Sequence, residues 1–86
     1  MIPQHLRSLF WDVDLDRFDP VAHPRYTIER VLENGEEEDV GWLTRTFPRH
    51  QIQIVLRSDH RLSPRSANFW ALVFEVPADE VAALQR

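Results

Sequence analysis

Asp12, Asp14 and Asp16 stand at alternate positions and are the first residues in the chain whose types and spacing could do chemistry. Alternate carboxylates in a turn can converge on a hard cation such as calcium. Such a loop needs glycine at its sixth position and a bidentate carboxylate at its twelfth, and here those positions hold Arg17 and His23. The stretch therefore reads as a solvated acidic connector. His5, His23, His50 and His60 include no pair at the i, i+4 spacing of a helical zinc site. Glycine occurs only at Gly35 and Gly41, so no glycine-rich phosphate loop can form. There is no cysteine, and hydroxyls such as Ser63 and Ser66 have a simpler use as helix-start residues than as nucleophiles. The expectation is a protein that is not an enzyme, with no catalytic residue, metal, cofactor or small-molecule substrate.

The remaining chemistry is that of recognition. All ten basic residues are arginines, and Arg45, Arg49, Arg57, Arg61 and Arg65 give the second half its basic character. Arg57 suits the last turn of a helix, where a cation is favourable. Arg49 and Arg65 each follow a proline that opens a helix, where the dipole disfavours positive charge, and nothing in the local sequence explains them. Phe10 and Trp11 lie beside the acidic connector. Together with the five arginines they are the candidate partner contacts, since interfaces concentrate their energy in aromatic residues and arginine. Trp42 and Trp70 read as core.

These residues must be positioned by few elements. At 86 residues the chain suits one domain, and its nine aromatics and 43% hydrophobic content argue against disorder. No apolar run approaches bilayer-spanning length, the N-terminus lacks the plan of a signal peptide, and the absence of cysteine permits a reducing compartment. A cytoplasmic location without membrane attachment is the expectation. The formal charge is −4, distributed as −6 over residues 1–43 and +2 over 44–86. An acidic total disfavours generic nucleic-acid binding.

Short helices fit the pattern better than strands. Leu6, Leu9 and Phe10 make a first turn, and residues 11–18 form a linker expected to be pinned by Trp11, Leu15 and Phe18. Asp19-Pro20 caps a single turn. From Pro24 to Asn34, Ile28, Val31 and Leu32 form an apolar stripe, and Gly35 is expected to end that helix in the left-handed conformation. Glu36 to Asp39 open a second helix with Val40, Leu43 and Phe47 facing inward. After Pro48, residues 51–57 fit a helix, although Gln51-Ile52-Gln53-Ile54 also alternates as a strand would. Ser63-Pro64 starts a helix carrying Ala67, Phe69, Trp70, Val73 and Phe74, expected to be largely buried. Pro77 ends it, and a last short helix is expected through Val81 and Leu84. The fold expected is all-α, a compact single-domain bundle of four to six short helices over residues 1–86.

Four stretches carry a family resemblance: Leu9-Phe10-Trp11-Asp12, residues 28–35 (IERVLENG), Asp39-Val40-Gly41-Trp42-Leu43, and residues 62–70 (LSPRSANFW). In this order they resemble a family of short, uncharacterised prokaryotic helical domains, over about residues 6–74 with a C-terminal tail at 75–86. Members are typically encoded beside nucleotidyltransferase toxins of the AbiEii class. The resemblance implies a protein-interaction module, the antitoxin of a type II pair that neutralises its toxin by direct binding. The rival readings are a helix-turn-helix-like DNA-binding regulator, built around Pro48 with the arginine set on phosphates, and a small regulatory domain unrelated to toxin control.

Overall fold

The computed structural model describes residues 4–14 and 17–85, and among them all regular structure is helical. A 3₁₀ helix, Gln4–Phe10, leads into a loop and a second 3₁₀ turn, Pro20–Ala22. Four α-helices follow: α1, Pro24–Asn34; α2, Glu37–Thr46; α3, Arg49–Ser58; and α4, Pro64–Val73. The segment with alternating glutamines is thus helical.

Local chemistry explains where the elements start. The Asp19 carboxylate accepts the Val21 N–H at 3.0 Å, and Pro20 supplies the first φ of its turn. Asp39 reaches back to accept the Glu36 N–H at 2.8 Å, satisfying a donor that α2 leaves open. Ser63 Oγ accepts the Ser66 N–H at 3.2 Å ahead of Pro64.

The helix ends depart from expectation at Gly35. Its φ of −78° and ψ of 162° are extended rather than left-handed, while its N–H closes α1 on Val31 O at 2.8 Å. Glycine is needed there for space. A Cβ would lie 2.6 Å from Val31 O and 3.0 Å from Asp39 Cβ, because the chain turns tightly from α1 into α2. The left-handed residue comes at the end of α4 instead, at Glu75 with φ 58°. Val76 N–H bonds Ala71 O at 2.9 Å and Glu75 N–H bonds Leu72 O at 3.4 Å, the paired closure that a left-handed residue allows.

One core joins all of this. Leu6, Leu9 and Phe10 from the first 3₁₀ helix meet Ile28, Val31 and Leu32 of α1, Leu43 of α2, and Ile52, Val55 and Leu56 of α3. The C-terminal stretch belongs to the same cluster through Val76, Val81 and Ala83. It forms two 3₁₀ turns, Ala78–Glu80 and Ala82–Leu84, in place of the single short helix expected. Fully buried Val81 lies between them.

The largest departure is α4, which is not a buried helix. Its inward stripe is Ala67, Ala71 and the cap residue Phe74, while Phe69, Leu72 and Val73 face solvent. Within the helix itself small side chains, Ala67 and Ala71, line the inner stripe, and Phe69, Leu72 and Val73 lie outside it. Trp70 and Trp42 are half-buried, packed against the core rather than within it.

Substituting Gly35→Ala should destabilise the domain by about 1–3 kcal/mol, since the added methyl meets a backbone carbonyl that cannot swing aside. Alanine accepts the local φ, so without the contact the change would stabilise by roughly 0.4–1 kcal/mol through the unfolded chain. Urea denaturation reads the sign directly.

Candidate interaction surface

The exposed face of α4 is built by its neighbours as much as by its own sequence. Two hydrogen-bond systems hold the helix against the end of α1. Glu33 Oε1 accepts the Ser63 N–H at 2.8 Å, and Oε2 accepts the Ser63 and Ser66 hydroxyls at 2.9 and 3.1 Å. The Glu33 carboxylate therefore sits at the N-terminus of α4, where the dipole favours an anion. Trp70 Nε1–H then donates to Leu32 O at 2.6 Å. With Trp70 tied inward, Phe69 is turned out at 55% exposure, Leu72 at 74% and Val73 at 45%.

Phe69 packs edge-on to Trp70 with ring centroids 4.7 Å apart, and the pair separates two grooves. One, of about 450 Å³, is lined by Gly35, Glu36, Glu37, Val40, Phe69 and Trp70. The other, of about 440 Å³, is lined by Arg65, Ser66, Asn68, Phe69, Trp70 and Leu72. The face thus has an acidic flank at the start of α2 and a basic flank at Arg65.

The predicted contact residues scatter over this frame. Arg65 alone lies in a groove of α4. Arg49 has the structural role that its local sequence does not show. Its guanidinium donates to the Glu75 carboxylate at 2.8 Å and to Val73 O at 3.4 Å, and rests 5.5 Å from the Phe74 ring centre. The start of α3 lies against the end of α4, whose dipole welcomes the cation that α3 disfavours. Arg57 pairs with Glu80 at 3.0 Å and ties α3 to the C-terminal turns. Arg45 is exposed in the last turn of α2, a favourable place for it. Arg61 is exposed at a cleft shared with Arg25, Glu29, Ser58, Asp59 and His60.

Phe10 is fully buried in the core, its ring tilted against those of Phe18 and Tyr26, so it is out of a partner's reach. Trp11 is 75% exposed and does not pin the linker to the core. Leu15 lies outside the described residues. The anchor is Arg30, which carries no local sequence signal for this role. It lies 4.9 Å from the Trp11 ring and 5.0 Å from the Tyr26 ring, donates to Leu9 O at 3.2 Å and pairs with Asp12. Tyr26 also donates to Asp12, which holds that carboxyl below its ordinary range, and burial with the Asp12 contact pushes the phenol up to about 12.

Asp59 and Glu29 form a second feature without a local sequence signal. Asp59 is buried, and its Oδ1 accepts the Arg61 N–H at 2.7 Å. Its Oδ2 has no donor among the described residues, and the Glu29 carboxyl is a close acidic neighbour of this group. Burial, then the hydrogen bond and charge of Asp59, push Glu29 up to about 7 against the opposing pull of Arg61 and Arg30. The neighbouring Asp59 carboxyl and the burial both favour the protonated form of Glu29.

Residues 6–56 match a family of unknown function, DUF6922. The chain belongs to that family. The match takes in the first three of the four motif stretches and ends inside α3, so residues 62–70 and the whole of α4 lie beyond the DUF6922 region. The match carries no link to a toxin. Neither the curated proteins nor the solved structures contain a match to the chain. Among the described residues no three His, Asp or Glu side chains gather as metal ligands would, and no helix is long and apolar enough to cross a membrane.

Because Glu29 binds its proton more tightly folded than unfolded, its contribution to stability is full below about pH 4.5 and is lost as the pH rises through about 7. Between those values the wild-type chain should lose stability relative to Glu29→Gln, by about 1 kcal/mol once solvent screening of this partly exposed group is allowed for. Urea titrations at the two ends of the window measure the difference. Parallel curves for the two proteins would contradict the raised proton affinity of Glu29.

Proposed function

We propose that this domain works by binding another protein, and more narrowly that it is the antitoxin of a type II pair, neutralising a nucleotidyltransferase toxin by direct contact. The observation that supports a binding role is the outward face of α4, where Phe69, Leu72 and Val73 stand in solvent beside Arg65. A side chain such as Leu72, 74% exposed on a regular helix, gains nothing for folding, and neighbouring large apolar groups of this kind mark interaction surfaces. The narrower reading rests on the family resemblance and on charge. A nucleotidyltransferase holds divalent metal with carboxylates, which an arginine fork can pair with.

This reading changes which arginines matter. Arg49 and Arg57 are engaged with Glu75 and Glu80, so they hold the fold together. Reversing Arg49 would therefore cost stability and blur any effect on binding. The same engagement takes two cations from the set that a DNA-binding regulator would place on phosphates, which weakens that rival. Arg65, at the edge of the apolar face, is the arginine to test.

The experiment is calorimetric titration of the chain into a nucleotidyltransferase encoded beside it. The double variant Phe69→Ser/Leu72→Ser should keep the fold and melt only slightly lower than wild type, because both side chains are largely exposed and only the Phe69 contact with Trp70 is lost. It should also bind at least about thirtyfold more weakly, a loss of about 2 kcal/mol. Unchanged affinity would exclude the α4 face as the docking surface.

A further inference from the structure

We propose that the α4 face is self-complementary and that two copies of this chain pair through it across a two-fold axis. This goes beyond the toxin-binding reading and stands on the order of features across the face. Arg65 lies on one side of the exposed Phe69, and on the other lies the groove that Gly35, Val40 and Trp70 line together with the acidic pair Glu36 and Glu37. In a two-fold pairing each point on the face meets its mirror position about the axis. An axis lying in the surface between Phe69 and the groove sets the Phe69 ring of each copy into the groove of the other. The same rotation carries Arg65 of each copy toward the side of its mate that holds Glu36 and Glu37, so charges of opposite sign face each other.

The chemistry of the groove suits that occupant. Its floor is largely apolar, its volume of about 450 Å³ accommodates a phenyl ring, and Trp70 offers an aromatic wall already used by Phe69 within the chain. Edge-to-face aromatic contacts add to the burial. The charges that meet are available. Arg65 and Glu37 are exposed, and neither forms an ion pair with a described residue, whereas Arg49 and Arg57 are paired within the chain. The patch is small, centred on one helix and one groove, so the pairing belongs with weak interfaces and a dissociation constant of tens of micromolar. Since the pairing uses the face that a partner would need, the dimer and a toxin complex exclude each other.

The test uses the 86-residue chain alone, so its outcome is independent of whether any toxin binds. Sedimentation equilibrium from roughly 10 µM to 1 mM should show the 10.2 kDa monomer converting to a species of twice that mass. Phe69→Ser should leave only monomer, with its melting curve confirming the fold. Arg65→Glu should weaken pairing at least about tenfold, and adding Glu37→Arg to that chain should restore it to within about threefold, because the swapped charges again face each other. A monomer at every concentration would overturn the proposal. So would a dimer indifferent to Phe69→Ser, or a charge swap that restores nothing.

Discussion

The joint between the end of α1 and the start of α4 is the contact on which the rest of the arrangement depends. A helix leaves donors open at its start and acceptors open at its end. Here Glu33, in the last turn of α1, fills the start of α4 through Ser63 and Ser66, while Trp70 of α4 fills the acceptor at Leu32. Each helix completes the other. With both ends of the joint satisfied, α4 can pack through small residues, Ala67 and Ala71, at close approach. Its larger apolar side chains are then left outside. The exposed face thus follows from how the helix is fixed.

Charge follows the same local logic. The acidic first half and basic second half suggest a dipolar molecule, yet several of the cations are matched close by. Arg30 takes Asp12, Arg49 takes Glu75 and Arg57 takes Glu80. Two of these pairs reach across elements to fix the C-terminal stretch, whose left-handed Glu75 places its carboxylate beside Arg49. Exposed ion pairs are individually weak. Their value here is positional, since they set the direction in which the chain leaves α4 and returns Val81 to the core.

Much of the fold was legible because its signals are local. Asp19-Pro20, Ser63-Pro64 and the stripe Ile28, Val31 and Leu32 each state a start or a face within a few residues, and the structure places helices there. The site was not legible in this way. Glu33 looks like an ordinary solvent-facing residue, since its partners lie 30 and 33 positions away. Arg49 looks misplaced until the end of α4 is brought beside it. On α4 the apolar residues run around the helix, so periodicity cannot say which side is inside, and residue size misleads because the alanines are the core. Gly35 was identified as a helix-ending glycine, but the property used there is its lack of a side chain rather than its freedom at positive φ.

The central claim, that α1 holds α4 through Glu33, is tested most directly by amide hydrogen exchange on the Glu33→Ala chain. If the joint works as described, the α4 amides lose protection by about tenfold or more relative to wild type, while those in the middle of α1 and α3 keep theirs at matched global stability. Uniform loss across all four helices, or unchanged protection in α4, would contradict it.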